Sequence, residues 1–267
     1  MNPAEVQSLK MVTRCYYDYQ EEELRLRGIL GVKKDDEPKK NARPYDPALS
    51  SLVQLRLDEV AKQVISFKAA IVKEVRKHPL WTAFLKGVKG CGETMAAVIL
   101  TEIDIHRADT VSKLWQFAGM NPGEVRGKKW GKRAGKKVLL TTNEMVCGDR
   151  PTEGFLRPYN DWLRAKMLGV LATEFHMSKS DYLIYYRNYK HRLESSDWGN
   201  ESKNPTDPNR PKAGHQHKAA NRYMIKMFLR DLYDTWRKLE GLPVRAPYQD
   251  EYLSHKHHEP VLAMPAE

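Results

Sequence analysis

The sequence predicts an all-α fold. Long segments place apolar residues at the 3.6-residue spacing of amphipathic helices, and no run of period-two alternation is convincing enough for a strand. A chain of 267 residues is long enough for one or two domains with a buried core. We expect a helical hairpin over residues 1–78, a helix-hairpin-helix domain with further helices over 79–247, and a disordered tail over 248–267.

The first part is predicted to form two long helices. One runs from about Pro3 to Leu30, a polar loop follows to Pro47, and the second begins at Ser50 or Ser51, either of which can cap it. Apolar residues of the second helix recur at mostly alternating steps of four and three, as in the seam of a coiled coil: Val53, Leu57, Val60, Val64, Phe67, Ile71 and Val75. The first helix offers a looser face: Val6, Leu9, Tyr16, Tyr19 and Leu24. We favour an antiparallel hairpin whose seam is packed within one chain over a seam that two chains share in a homodimer.

The segment from Leu85 to Leu100 has the pattern of a helix-hairpin-helix, a compact motif that binds DNA phosphates. Gly90 and Gly92 are expected to supply positive φ angles and a close backbone approach, which leave bare amides at the start of the next helix. Lys86 and Lys89 add positive charge at the same edge. The alternative is that Gly90 is an ordinary helix cap and Gly92 a spacer.

A short helix over residues 109–119 precedes a segment rich in glycine and positive charge, 120–137, which we interpret as a loop. Its cations repel one another unless an anion is present, so the segment is a candidate for binding a nucleic-acid backbone. The candidate phosphate contacts are Arg126, Lys128, Lys129, Lys132, Arg133, Lys136 and Lys137. Trp130 either stacks on an exposed base or is tucked into the fold.

Three further helices are expected over 158–176, 179–193 and 217–240, with a flexible loop over 194–214. The histidine groups at 215–217 and 255–258 have no evident set of partner ligands, so we assign no metal site and no cofactor. Cys15, Cys91 and Cys147 are odd in number and far apart, which favours reduced thiols.

The composition favours a polyanionic partner. Lys and Arg total 45 against 34 Asp and Glu, a formal net charge of +11, and the isoelectric point is about 9.4. Nucleic acid is the commonest such partner, and no run of about 18 apolar residues indicates a membrane span. The N-terminus lacks the pattern of a secretory signal, so we expect a cytoplasmic, nucleoid-associated protein.

Residues 85–135 resemble the C-terminal domain of the DEDD insertion-sequence transposases, a family that includes Piv-type DNA invertases and bridge-RNA-guided recombinases. The resemblance is carried by the helix-hairpin-helix, then Ala108 to Pro122 with its Phe-Ala-Gly-Met-Asn-Pro step, and the basic glycine segment. Residues 218–227 are similar to the helix that closes this domain. The resemblance implies an all-helical DNA-binding scaffold, with a coiled coil that helps protomers associate.

Two features of that family are not found. Its ribonuclease-H-like domain supplies four acidic residues and a metal, yet nothing before Leu49 resembles the strands of such a domain. Its nucleophilic serine would fall near Arg126, yet residues 119–137 contain no serine, and Thr141 and Thr142 lie too far along. No catalytic residue is therefore assigned. The sequence predicts a DNA-binding protein of transposition or recombination, with an active divergent transposase or a structured-RNA-binding protein as alternatives.

Overall fold

In a computed structural model of the protein, the described residues are 1–33, 37, 47–121, 124–133, 135–148, 152–195 and 213–245. They are mostly helical with one small sheet, so the predicted all-α class is confirmed. The elements in chain order are α1 (Pro3–Leu30), α2 (Pro47–Val75), α3 (Pro79–Ala83), a 3₁₀ turn (Leu85–Gly87), α4 (Glu93–Glu102), α5 (Val111–Phe117), β1 (Glu124–Arg133), β2 (Lys136–Cys147), α6 (Asp161–Ala165), a π-helical segment (Lys166–Leu171), α7 (Ala172–Met177), α8 (Leu183–Ser195) and α9 (Ala213–Leu239).

Helices α1 and α2 form the predicted antiparallel hairpin. Along α2, the seam residues Leu57, Val60, Ile71 and Val75 are buried, and the other three are partly buried against the same clusters. The rings of Tyr19 and Phe67 stack across the pair with their centroids 5.4 Å apart. The seam is thus filled within one chain, and association of two chains through this hairpin stays a prediction.

The predicted face of α1 is wrong at one residue. Leu24 is 62% exposed, whereas Leu26 is 8% exposed and packs with Leu57 and Val60. Steps of three and four that continue from Tyr16 lead to positions 23 and 26 rather than 24. Leu24 therefore lies away from the seam.

Helix α4 lies at the centre of the core, and all its residues from Met95 to Glu102 are buried. Ala96 and Ala97 are fully buried, as close helix packing requires. The Glu102 carboxylate accepts hydrogen bonds from Arg14 of α1 at 2.6 Å and from the Asn160 side chain at 2.7 Å. This buried carboxylate joins the helical hairpin to the rest of the molecule.

The glycine-rich basic segment is not the predicted loop. Strands β1 and β2 pair antiparallel from Glu124 opposite Cys147 to Arg133 opposite Lys136, with one bulge after Arg126. We call this two-stranded ribbon the β-arm. Period-two alternation was hidden because glycine takes the place of apolar residues: a Cβ on Gly127 would lie 2.5 Å from the Phe155 ring, and one on Gly131 would overlap Leu140.

The remaining helices differ from prediction mainly at their ends. The helix predicted over 158–176 runs from Asp161 to Met177 and contains a π-helical segment in its middle. Helix α8 begins at Leu183 instead of residue 179, because Lys179 has a φ of +52° that ends the preceding helix. Helix α9 covers Ala213–Leu239. The predicted disordered tail and most of the predicted 194–214 loop lie outside the described residues.

Candidate nucleic-acid interface

The turn before α4 is shaped by Gly90. Its φ is +90°, as predicted, and a Cβ there would lie 2.7 Å from Ser178 Oγ and 2.9 Å from the Glu174 carbonyl oxygen. The close approach that Gly90 permits is therefore to the end of α7, within the protein itself. Gly90 fixes the position of the turn against the core.

The prediction for Gly92 is wrong. Its φ is −75° with ψ 171°, an extended conformation open to any residue, and a Cβ there would meet nothing within 4 Å. Gly92 is the N-cap of α4, and no side chain caps the helix at this position. Gly92 and Lys89 are exposed at the start of α4, and the Glu93 carboxylate accepts a hydrogen bond from its own backbone amide there, so an anion would compete with this carboxylate.

Three cations and two acids lie around this turn. Lys86 and Lys89 are exposed, and Lys89 Nζ lies 4.0 Å from Asp181. Partial burial alone would raise the pKa of Glu93, but hydrogen bonding and charge from Arg76 outweigh it and lower the pKa. The Arg76 guanidinium lies 2.6 Å from the Glu93 carboxylate and thereby compensates the one negative charge at the start of α4. Arg76 was not among the predicted residues, because it follows the end of α2.

One face of the β-arm is exposed and strongly basic. Arg126, Lys128, Trp130 and Lys132 alternate along β1, and each has a largely solvent-accessible side chain. Their cross-strand partners are on the same face: Met145, Thr141, Leu139 and Lys137. Trp130 is 55% exposed rather than tucked into the fold, and Lys137 Nζ lies 5.2 Å from its ring centroid. This face offers cations for phosphates and a free indole surface for a base.

The other predicted cations of the β-arm take different positions. Lys129 is on the opposite face, where its ammonium lies 3.6 Å from Glu144 and 5.2 Å from the Phe155 ring centroid. Arg133 and Lys136 pair at the tip of the ribbon and are exposed. The β-arm thus carries seven cations against Glu124 and Glu144. The exposed partners on β2 were missed, although Val138, Thr141 and Thr142 are β-branched residues typical of strands.

Two hydrogen bonds hold the root of the β-arm, one within the ribbon and one to the segment that follows it. The Leu156 amide donates to the Lys128 carbonyl at 2.7 Å, and the Thr142 hydroxyl donates to the Gly127 carbonyl at 3.1 Å. A two-stranded ribbon by itself is only marginally stable in water. The Thr142 bond joins the two strands to each other, and the Leu156 bond joins β1 to the segment that follows β2.

The described ranges were compared with the geometry of metal clusters and of membrane-spanning helices. No group of three or more His, Cys, Asp and Glu side chains there is placed to hold a metal ion. His217 Nδ1 lies 2.7 Å from the Tyr186 hydroxyl, and His255 to His258 fall outside the described residues. Within the same ranges, none of the helices is both long and apolar enough to cross a bilayer.

Comparison with known families gives one match. Residues 82–138 match the family described as Transposase IS116/IS110/IS902 family. The match supports an IS110-type transposase domain, and it runs from the end of α3 to the start of β2, so it includes helices α4 and α5 and strand β1. Comparisons with curated proteins and with solved structures gave no match.

Proposed function

We propose that this protein binds DNA in transposition or recombination, and that the β-arm and the turn before α4 contact its phosphates. The observation that carries the proposal is the exposed basic face of the β-arm, in a segment that matches a transposase family. Double-stranded DNA admits a two-stranded ribbon into its major groove, and Lys and Arg beside the groove contact the backbone. The proposal includes two further points: the protein is related to the DEDD transposases, and it is associated with the nucleoid.

Two side chains on the β-arm bear on the enzymatic alternative. Thr142 donates its hydroxyl to a backbone carbonyl, whereas Thr141 is exposed on the basic face opposite Lys128. Thr141 is the hydroxyl of the two that a phosphate on the basic face could reach, so an active divergent transposase would use Thr141, with a base or metal to take its proton, rather than Thr142. Strand breaks that depend on Thr141 would favour this second function.

The experiment is a salt titration of binding to duplex DNA, a four-way DNA junction and structured RNA. The arm variant carries Lys128→Gln, Lys129→Gln, Lys132→Gln and Arg133→Gln. A matched control removes four charges from exposed positions of the helical hairpin: Arg25→Gln, Arg56→Gln, Lys62→Gln and Lys73→Gln. Both variants have the same net charge, so only the location of the removed charge differs.

We expect the arm variant to reduce the slope of log affinity against log salt by about 0.9 for each phosphate that the protein no longer neutralises, and the control to leave the slope nearly unchanged. Equal slopes in the two variants would mean that binding depends on net charge alone and would contradict the proposal. Tighter binding to structured RNA than to both DNA forms would replace DNA with RNA as the ligand. Incubation of the same samples with Mg²⁺ then tests for strand breaks, with Thr141→Val as the comparison.

A further inference from the structure

A cavity of about 540 Å³ opens at the root of the β-arm. It lies where the end of α5, the start of β1 and residues 156–160 meet. Its walls include Phe117, Val125, Arg126, Leu156, Arg157 and Tyr159. Ligand sites in proteins are typically concave, with apolar walls and a few polar groups that fix orientation.

The walls are held by contacts inside the protein. The Asn160 amide donates to the Phe117 carbonyl at 2.9 Å, which joins α5 to the segment that follows the β-arm. The Arg164 guanidinium lies 4.8 Å from the Tyr159 ring centroid and donates to the Gly119 carbonyl at 2.8 Å. The cavity is therefore formed before any ligand arrives.

The chemistry of the walls has two parts. Phe117 is 41% exposed and Leu156 39% exposed, which are large values for apolar side chains in a concave site. Arg126, Lys128 and Arg157 supply positive charge, and no Asp or Glu is among the described residues that line the cavity. Asp161 lies just outside and contacts Arg157 at 2.8 Å. A flat apolar group and an anionic group would both be stabilised here.

We infer that this cavity receives a single unpaired nucleotide of the bound DNA, with its base against Phe117 and its phosphate beside Arg126 and Lys128. The inference rests on the proposed function and adds to it a preference for distorted DNA. Arg126 and Lys128 are also members of the exposed face of the β-arm, so a backbone that follows this face reaches the mouth of the cavity. Only a base outside the double-helical stack can enter a concave site of this kind.

Gln116 supplies a polar group for such a base. Its exposed carboxamide lines the cavity and makes no hydrogen bond to other described residues. A carboxamide offers both a donor and an acceptor, so it can bond the edge of any of the four bases. We therefore expect a preference for an unpaired base as such, with little preference among bases.

The test compares three duplexes of one sequence: fully paired, with a one-nucleotide bulge, and with the same bulge lacking its base. Stacking of one base on an aromatic side chain corresponds to roughly a 5- to 100-fold change in affinity. We expect the wild-type protein to bind the bulged duplex at least about fivefold tighter than the other two. The ratio of affinities is the readout, because a partly unfolded sample lowers all three affinities together.

Two variants of the cavity and one control complete the test. Phe117→Ala and Leu156→Glu should bring the ratio close to one, whereas Leu55→Ala should leave it unchanged, because Leu55 is an exposed apolar residue of α2 that lines neither the cavity nor the β-arm. Equal binding of the three duplexes by wild type, or equal effects of Phe117→Ala and Leu55→Ala, would overturn the inference. A larger bulge preference in RNA than in DNA would overturn the assignment to DNA. If the proposed function itself is wrong, the protein will not bind the paired duplex. That outcome differs from equal binding of the three duplexes, which would overturn the inference alone.

Discussion

The two glycines of the turn before α4 should respond differently to the same substitution. Gly90→Ala places a methyl group on a backbone with φ +90°, where its Cβ would lie 2.7 Å from Ser178 Oγ and 2.9 Å from the Glu174 carbonyl oxygen. Gly92→Ala adds the same methyl group at φ −75°, with no atom within 4 Å. The pair isolates the effect of local geometry, because the chemical change is identical and the two positions are close together in the chain.

The magnitude follows from three contributions to the free energy of unfolding. A left-handed conformation costs an L-residue roughly 1–2 kcal/mol, and overpacking against the Glu174 backbone costs roughly another 1–3 kcal/mol. The lower entropy of the unfolded chain with alanine offsets about 0.4–1 kcal/mol. Gly90→Ala should therefore lower the free energy of unfolding by about 2–4 kcal/mol. Gly92→Ala should change it by less than about 0.5 kcal/mol, since only the offset and a slightly weaker N-cap remain.

Urea unfolding at neutral pH, followed by circular dichroism and by tryptophan fluorescence, measures both changes. Coinciding transitions and unchanged m-values would show that the same two states are compared in each variant. A Gly90→Ala protein as stable as Gly92→Ala would refute the reasoning, because it would mean that the turn does not keep the left-handed conformation against α7. DNA binding measured well below the unfolding transition then separates weaker binding from lower stability.

Three further predictions use the same unfolding and binding measurements. Burial, and then the charge of Asp231, raise the pKa of Asp234 to about 6. The unfolded chain loses this proton at a lower pH than the folded protein does. The free energy of unfolding therefore falls as the pH rises toward 6, and it stays lowered above that pH. Asp234→Asn should thus raise the free energy of unfolding by about 1–2 kcal/mol at neutral pH, a value reduced for partial exposure, and should leave it nearly unchanged at a pH of about 3. Glu102→Ala should lower it by about 2–4 kcal/mol, since the side chains that bond this carboxylate are left without a partner, and an equal decrease for Glu102→Gln would point to the charge itself. Gly127→Ala should weaken DNA binding more than it changes stability, because its methyl group would displace the Phe155 ring at the root of the β-arm; normal affinity would show that this root tolerates movement.

The helical parts could be predicted from the sequence more fully than the candidate interface. Helix α1 and the seam of α2 follow from apolar spacing, and the positive φ of Gly90 follows from its place in a tight turn. The same reasoning failed for Gly92, because a glycine in a sequence can be either a left-handed residue or an extended N-cap.

The β-arm and the cavity at its root were not predicted for a physical reason. Gly127 and Gly131 take positions on β1 where Phe155 and Leu140 supply the apolar cover, so the pattern that marks a strand is distributed over distant residues. The cavity likewise combines Phe117 with Tyr159 across a long separation in the chain. Such contacts depend on tertiary packing, which local spacing does not encode.

The outer half of the helical hairpin has its own small core. Leu26, Leu57 and Val60 form a cluster separate from the main core. The contact between α1 and Glu102 is made by Arg14, which lies in the N-terminal half of α1. The length of the outer half is therefore free to vary in whole heptads, because adding or removing about seven residues in both helices keeps the seam in register. One heptad changes the reach of the hairpin by roughly 10 Å. Such a change of length would alter the span of the hairpin and leave the β-arm and the turn before α4 as they are, because neither is part of the outer half.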